Sequence, residues 1–583
     1  MADAKAARRA KIRSALQRFG FTTLRGLQGA ALRRVLSGKD TLVLMPTGGG
    51  KSLCYQLPAL LLPGLVVVVS PLLALMQDQV AALRRKHIGV EMLSSLVVQK
   101  QRQQIVARLL EVEAKAQTER IEILYTTPET LQGEQMQKLL QQLYKRGGLA
   151  LFAIDEAHCI SSWGHDFRLA YRNLGKLRSL FPKVPVIALT ATATERVRED
   201  ITRQLHFAAD GSDVLLADFN RANISYTVHD KETLGDPVGA LCRFIKKEHA
   251  NACGVVYVHK RSDTDDLVVS MHKRDPTLNV AAFHAKIPQH EREETLQKWL
   301  SGGVHIVCAT IAFGMGIDHP HVRFVIHWNI PKTLENFYQE SGRAGRDGEP
   351  SQSILLYSSR DYDSFRFLLE QESTKPNETG SRTTELKKLK KVDTIAHALK
   401  LLEHVKTFGT KKECRRQALL RYFGQKIAVA DCKATCDVCN ARLNAFRFEE
   451  KPILDKRTEG FCRQSLKAVK TRDSFTEKKM RAGDVRRNNL IYGQKGSYAP
   501  EETKSVVVRG GSNRALAADG FIAVNGDVSS GEEDIADDDE ASAVVQTLHK
   551  RQSLDDTLDA LERAERASTS NGDDWKRQKY SRV

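Results

Sequence analysis

A glycine-rich turn followed by a lysine and a serine stands near the start of the chain. Residues 48–52 read Gly-Gly-Gly-Lys-Ser, directly after the apolar run Thr41–Met45, which is typical of a strand, and before the helix-like start Leu53–Leu57. Such a turn binds phosphate, because glycines let the backbone close around it and the helix N-terminus supplies positive dipole. Lys51 then reaches the β- and γ-phosphates and Ser52 ligates Mg²⁺. The pattern predicts a nucleoside triphosphate site whose ligands are Thr47, Gly48, Gly50, Lys51 and Ser52.

A pair of carboxylates follows a second apolar run about a hundred residues later. The run Leu149–Ile154 leads directly into Asp155-Glu156-Ala157-His158. If the run is a strand, Asp155 emerges at the carboxyl end of a sheet, where it holds Mg²⁺ through water and adds a second ligand to the nucleotide site. Glu156 beside it polarises the attacking water. The two motifs together predict hydrolysis of the bound triphosphate.

Two arginines in the second half of the chain are candidates to meet the γ-phosphate. Residues 339–348 read Gln-Glu-Ser-Gly-Arg-Ala-Gly-Arg-Asp-Gly. Arg343 and Arg346 are one helical turn apart, so we predict that they lie on one face of a helix. An arginine pair opposite Mg²⁺ stabilises charge on the transferring phosphoryl group. The alternative is a basic turn on the surface.

Apolar strands alternate with helical segments, and the alternation predicts how these motifs are positioned. It indicates an α/β fold with parallel sheets covered on both faces. The pattern restarts after Arg221-Ala222-Asn223, so we expect two consecutive α/β domains with a cleft between them, followed by helical sequence to about residue 424. The predicted strands are Thr41–Met45, Leu65–Ser70, Ile121–Tyr125, Leu149–Ile154, Val186–Leu189, Gly254–Val258, Val280–Phe283, His305–Ala309, Arg323–His327 and Ser353–Tyr357.

Length and composition limit the class of protein. At 583 residues, the chain is too long for a single hydrophobic core. Its 89 Lys and Arg against 71 Asp and Glu give a net charge of +18, which suits a polyanionic partner. No stretch approaches about 18 uninterrupted apolar residues, so no membrane span is expected. The first residues lack the apolar core of a secretory signal, which favours an intracellular protein.

Four of the ten cysteines form a cluster with the spacing of metal ligands: Cys414, Cys432, Cys436 and Cys439. Two ligands separated by two residues share a tight knuckle, and four thiolates suit tetrahedral Zn²⁺. Cys436 and Cys439 alone also fit a redox pair. The remaining cysteines are expected to be packing residues or free thiols.

An aromatic-rich segment follows the two carboxylates. Trp163 and Phe167, flanked by His165 and Arg168, form a candidate stacking platform for unpaired bases beside a phosphate contact. The alternative is that both rings belong to the core, because they are one helical turn apart. Gly164 and the polar neighbours favour a loop.

The chain between about residues 19 and 440 resembles the RecQ family of superfamily 2 DNA helicases. The resemblance rests on the residues quoted above, together with Met45–Pro58, Ser70-Pro71-Leu72, Thr190–Thr194 and Ala309–Asp318. It implies two tandem RecA-like, doubly wound parallel-sheet domains at 1–212 and 213–365, and a zinc-binding module at 366–442. The implied activity is ATP-dependent 3′→5′ DNA unwinding with Mg²⁺, on single-stranded and forked DNA, in recombination, repair and replication.

The resemblance also assigns roles to individual residues. It implies that Arg25 and Gln28 recognise adenine, that Asp318 contacts the nucleotide ribose, and that Ser70 and Thr310 lie along the DNA backbone. The segment containing Trp163, Phe167 and Arg168 couples DNA binding to ATP hydrolysis in this family.

Residues 443–583 form a predicted low-order tail, basic and then acidic. Neither a winged helix nor a C-terminal helical domain is recognisable there. In this respect the chain resembles the short RecQ type numbered fifth in animals. One short helix is expected near residues 544–566, and the tail offers protein partners a binding segment. A nuclear location is expected if the source is a eukaryote, and a cytoplasmic or nucleoid location otherwise.

Two other functions fit parts of the sequence. A DEAH-type RNA helicase shares the phosphate-binding turn and the Asp155–His158 motif, but not the Trp163–Arg168 segment or the cysteine cluster. A nucleic-acid annealing or scaffold protein switched by ATP is the second. The intact Lys51, Asp155, Glu156 and Arg346 favour retained hydrolysis over that alternative.

Overall fold

The computed structural model describes residues 2–111, 120–208, 213–311, 313, 319–374 and 385–443. Its strands are β1 (Thr41–Leu44), β2 (Leu65–Val69), β3 (Val90–Leu93), β4 (Ile123–Thr126), β5 (Leu149–Ile154), β6 (Val186–Thr190), β7 (Val214–Leu216), β8 (Ile224–Asp230), β9 (Cys253–Tyr257), β10 (Val280–Phe283), β11 (Ile306–Ala309), β12 (Val322–His327) and β13 (Ser351–Tyr357). All ten strands predicted from the sequence are present, and each end lies within two residues of its predicted position.

Helices cover the strands and connect them. They are α1 (Ala2–Arg18), α2 (Gln28–Leu36), α3 (Leu53–Ala59), α4 (Leu73–Arg84), α5 (Gln99–Leu110), α6 (Pro128–Gln132), α7 (Glu134–Lys145), α8 (Leu169–Arg172), α9 (Lys176–Leu180), α10 (Glu195–Gln204), α11 (Pro237–Glu248), α12 (Arg261–Arg274), α13 (Gln289–Leu300), α14 (Leu334–Ser341), α15 (Ser359–Thr374), α16 (Glu385–Thr410) and α17 (Arg415–Tyr422). In the described part of the chain, no helix combines the length and apolar character that a membrane crossing needs.

The first sheet is parallel and has seven strands in the order β3-β4-β2-β5-β6-β1-β7. Strand β6 lies between β1 and β5, so the phosphate-binding turn after β1 and the carboxylates after β5 emerge at the same edge, one strand apart. The sequence did not predict β3 or β7. Strand β7 joins the first sheet, which therefore extends past residue 212, where the sequence placed the domain boundary.

The second sheet is also parallel, with the order β10-β11-β9-β12-β13-β8. Side chains alternate between two apolar clusters along its strands, for example Val255 and Val325 on one face and Val256 and Ile326 on the other. Both faces are therefore covered, as expected for parallel strands.

The cysteine-rich region packs against the second sheet. The cysteine loop bonds to strand β8, because Tyr226 N donates to Thr435 O over 3.1 Å and Asp437 N donates to Tyr226 O over 3.2 Å. One apolar cluster contains Phe152 of the first sheet, Val325 of the second and Leu419 of α17. The apolar core is therefore continuous from the two α/β domains into the cysteine-rich region.

Candidate functional site

A cavity of about 440 Å³ lies at the edge where the motifs of the first sheet emerge. Its lining includes eleven residues that the sequence predicted: Arg25, Gln28, Thr47, Gly48, Gly50, Lys51, Ser52, Asp155, Glu156, Arg343 and Arg346. Nine come from the first domain and the two arginines from the second. Asp318, the predicted ribose contact, lies outside the described residues.

The phosphate-binding turn has the backbone conformation that its glycines allow. Gly48 and Gly50 have φ angles of +80° and +77°, a region that other residues rarely adopt. A Cβ atom on Gly50 would lie 2.3 Å from Nε2 of Gln28, and one on Gly48 would lie 3.2 Å from Cγ of Arg346. Substitution of either glycine would therefore displace a neighbouring residue of the site.

Lys51 lies close to the two carboxylates. Its ammonium donates to Met45 O over 3.4 Å. Desolvation lowers the pKa of Lys51, while Glu156 and Asp155 oppose this shift. Arg346 also contributes to the lowering, which shows that positive charge from the second domain reaches the turn. Two cations facing one cavity create a site for an anion of high charge.

The two carboxylates are buried, and their surroundings shift their pKa values in opposite directions. Burial and the neighbouring Glu156 raise the pKa of Asp155 to about 7. Burial opposes ionisation of Glu156, but a hydrogen bond and positive charge from His158 outweigh it and hold the pKa of Glu156 at about 2. Glu156 therefore keeps the ionised form that can accept a proton from water.

The oxygen donors in the cavity suit Mg²⁺. The hydroxyl of Ser52 and the carboxylate of Asp155 both line it. Hard oxygen ligands of this kind, few in number, are typical of magnesium sites in which phosphate and water complete the coordination.

The end of the cavity lined by Arg25 contains a hydrogen-bonded glutamine. Gln28 Oε1 accepts from the backbone N of Arg25 over 2.8 Å, and its Nε2 donates to Gly50 O over 3.1 Å. Gln28 thus joins the Arg25 segment to the phosphate-binding turn. Phe21, whose side chain is 42% exposed, lines the same cavity and was not predicted as a site residue. Its aromatic character beside Gly20 was the available signal.

The two arginines lie in a turn. Helix α14 ends at Ser341, and Gly345 has a φ of +57°. The prediction that Arg343 and Arg346 share one face of a helix is therefore wrong, because the chain leaves the helix at Gly342. The turn nevertheless brings both side chains into the cavity.

His158 connects the two carboxylates to the aromatic-rich segment. Its Nδ1 lies 3.3 Å from Glu156 Oε2 and 2.9 Å from the hydroxyl of Thr190 at the end of β6. The ring of His165 stacks on that of His158, with centroids 4.4 Å apart. A displacement of the aromatic-rich segment would therefore move His165, and through His158 it would reach Glu156.

The aromatic-rich segment forms a loop, as Gly164 suggested. The Trp163 ring is half-buried, with the guanidinium of Arg196 3.2 Å from its centroid. His397 of α16 contacts the same ring edge-on at 5.2 Å, and its Nε2 lies 3.1 Å from Trp163 O. One face of the indole is thus covered, so stacking with a base requires Arg196 to move or the base to use the other face. Phe167 is 40% exposed.

Arg168 joins two of the predicted DNA-binding segments. Its guanidinium pairs with Asp166 at 3.1 Å and donates to Pro71 O over 2.9 Å. Ser70 lies next to Pro71, and its hydroxyl is buried with no hydrogen-bond partner in the described structure. Thr310 is buried at the end of β11 in the second domain. The DNA contacts of these residues stay predictions.

The four predicted cysteine ligands are brought together. Their sulfur atoms all lie within 4.8 Å of one another, and those of Cys414 and Cys436 are 3.9 Å apart. Tetrahedral zinc with Zn–S bonds of about 2.3 Å places its sulfurs at nearly this separation. The donor set therefore fits one Zn²⁺, and four converging thiols favour it over a redox pair.

Three protein-family models match the chain. The DEAD/DEAH box helicase model matches residues 25–201, the helicase conserved C-terminal domain model matches 236–348, and the RecQ zinc-binding model matches 359–440. The first two models cover the eleven predicted residues of the cavity, and the third covers the cysteine cluster.

Curated relatives cover the same part of the chain. ATP-dependent DNA helicase Q5 of Rattus norvegicus is 39% identical over 446 residues, which are 74% of this chain and 44% of that protein. ATP-dependent DNA helicase Q-like 2 of Arabidopsis thaliana is 38% identical over 424 residues, 72% of this chain and 56% of that protein. The chain thus spans about half the length of these relatives. With three adjoining family models and a four-thiol centre of the RecQ type, the chain belongs to the RecQ family of superfamily 2 helicases.

Proposed function

We propose that the chain is an ATP-dependent DNA helicase that moves 3′→5′ along single-stranded DNA and unwinds duplexes. The observation that carries this proposal is the cavity in which Lys51 and Glu156 of the first domain meet Arg343 and Arg346 of the second. A site built from two domains changes when its triphosphate is hydrolysed, because the arginines lose the γ-phosphate that attracts them. Hydrolysis can thereby open and close the domains on a bound strand.

Each residue of the cavity has one task in this reaction. Lys51 neutralises charge on the β- and γ-phosphates, and Glu156 accepts a proton from the attacking water. Arg343 and Arg346 stabilise the charge that develops on the transferring phosphoryl group. Ser52 and Asp155 would hold Mg²⁺, which supplies additional charge neutralisation at the phosphates when bound.

The proposed substrate is DNA, and the aromatic-rich loop is the proposed link between DNA binding and ATP hydrolysis. The named relatives are DNA helicases. Contacts run from Glu156 through His158 to His165, and Arg168 bonds to the segment of Ser70 and Pro71. A strand that moves this loop would therefore alter the position of Glu156. Forked DNA, a role in recombination, repair and replication, and a nuclear location in a eukaryote belong to the same proposal.

An unwinding assay with labelled substrates tests the proposal. We expect ATP-dependent strand release from 3′-tailed and forked DNA, little release from 5′-tailed DNA, and none from blunt duplexes or RNA duplexes of the same sequence. Holliday junctions test whether branched structures are preferred. Equal activity on RNA would support the DEAH-type RNA helicase instead. Annealing of complementary strands without any unwinding would support the scaffold alternative.

The Trp163→Ala variant tests the coupling loop. We expect DNA-stimulated ATPase activity to fall about tenfold or more, because the loss of one base stack weakens single-strand contact by roughly 1–3 kcal/mol. Basal ATPase activity without DNA is expected to change little. The measurement is ATP turnover as a function of single-stranded DNA concentration.

Trp328→Ala is the matched control for this variant. Trp328 is also half-buried and covered by a cation, with Lys231 Nζ 4.0 Å from its ring centroid, but it lies in the second domain outside the loop. Its DNA stimulation should be normal. If Trp163→Ala also retains full stimulation, the indole is a packing residue only.

A further inference from the structure

Arg221 joins the phosphate-binding turn to the arginine turn. Its Nη1 donates to Thr47 O over 2.9 Å and to Gly342 O over 3.0 Å. Its Nη2 donates to Ala344 O and Gly345 O, each over 2.9 Å. One guanidinium thus bonds to four carbonyl oxygens, one directly before the phosphate-binding glycines and three flanking Arg343.

The segment that carries Arg221 is itself fixed from the cysteine-rich region. Arg221 follows β7 and precedes β8, so it lies on the connection between the two sheets. Arg416 of α17, which is fully buried, donates to Arg221 O over 2.8 Å and to Asn220 Oδ1 over 2.7 Å. Phe219 stacks on Phe423 with centroids 5.2 Å apart.

A second side chain of the same segment holds the arginine turn. Asn223 Nδ2 donates to Gly345 O and to Glu349 O, each over 2.9 Å. A Cβ on Gly345 would lie 2.4 Å from that nitrogen, so the two groups are in close contact. The connection therefore bonds to the arginine turn on both sides of Arg346. Of the two side chains Arg221 and Asn223, only Arg221 also bonds to the phosphate-binding turn in the described structure.

We propose that Arg221 is a positioning residue for ATP hydrolysis, which sets the distance between the phosphate-binding turn and the arginine pair. Arg221 is not among the described residues that line the nucleotide cavity, so it acts through the backbone that carries Arg343 and Arg346. A planar fork of five N–H donors can bond to carbonyls of two segments at once. Arg221 also lies on the connection between the two sheets. If hydrolysis changes the distance between the phosphate-binding turn and the arginine turn, Arg221 therefore transmits that change to the connection. This inference rests on the proposed ATP hydrolysis.

Steady-state ATPase kinetics of the full chain test the role of Arg221. Arg221→Ala is expected to lower kcat roughly 10- to 100-fold, since a misplacement of catalytic groups by about 1 Å has effects of this size. The KM for ATP should change less than about threefold, because the groups that bind ATP in the ground state stay in place. A residue needed only for stability would instead lower the amount of folded protein at unchanged kcat.

A double-mutant cycle with Arg346→Ala separates positioning from an independent effect. If Arg221 acts through the arginine turn, Arg221→Ala adds little to Arg346→Ala, and the double variant turns over within about twofold of Arg346→Ala alone. Multiplicative losses of kcat would overturn the inference.

Two further variants keep the test decisive. Arg221→Lys retains the charge and most of the stem, but its single ammonium has three N–H donors for four carbonyl oxygens, so we expect kcat to stay at least about fivefold low. Arg178→Ala is the matched control, since Arg178 pairs with Asp40 and bonds to Pro182 O within the first domain and should leave kcat normal. A normal kcat in either folded Arg221 variant overturns the inference about Arg221 but leaves the proposed function standing. A wild-type chain without ATPase activity overturns the proposed function as well.

Discussion

Lys51→Ala is expected to abolish ATP hydrolysis while DNA binding stays largely intact. The substitution removes the ammonium that neutralises the β- and γ-phosphates in a cavity that Arg346 also lines. Loss of one preorganised charge of this kind lowers turnover by at least roughly 100-fold. The aromatic-rich loop and Arg168 are unchanged, so affinity for single-stranded DNA should stay within a few-fold. Turnover of ATP and fluorescence anisotropy of labelled DNA measure the two quantities separately.

Lys145→Ala is the matched control, because Lys145 is an exposed lysine in the last turn of α7 and does not line the cavity. Its turnover should equal that of the wild type.

Glu156→Gln gives a complementary result: it should bind ATP and not hydrolyse it, because only proton acceptance from water is lost. Near-normal turnover of Lys51→Ala would contradict the assignment of the nucleotide site.

Cys436→Ser is expected to lose stoichiometric zinc and to destabilise more than the cysteine loop. Cys436 is fully buried, and the residues on either side of it bond to Tyr226 of strand β8. Loss of the metal should therefore expose residues from about 395 to 440 to protease and also speed hydrogen exchange along β8. Elemental analysis of chelator-washed protein measures the zinc, and mass spectrometry measures the exchange.

Cys253→Ser provides the control, since Cys253 is a half-buried cysteine of β9 outside the cluster. It should retain one zinc per chain. Chelation of the wild-type protein provides a second route to the metal-free state if Cys436→Ser is poorly soluble. Full zinc retention in Cys436→Ser would rule out the four-thiolate centre. Zinc loss with unchanged exchange in β8 would contradict the coupling to the second sheet.

Local patterns in the sequence determined the nucleotide site and most of the strands. The ten predicted strands are continuous apolar runs, because a parallel strand covered on both faces needs apolar side chains on each. The three strands that the sequence missed, β3, β7 and β8, are all edge strands. These strands have partly exposed side chains, and β8 mixes buried, half-buried and exposed residues. Such strands lack the continuous run on which the prediction depended.

The sequence alone also determined which residue types meet in the site, because ligands that follow strands at one sheet edge come together whatever the details of the fold. Only the tertiary structure decided how they are held. Gly342 and Gly345 turn the arginines out of helix α14, and Arg221 becomes a link between two segments about 120 residues or more away in the chain. Trp163 likewise acquires its partners from α10 and α16. These contacts depend on long-range packing, which leaves no periodic signal in the residues that make them.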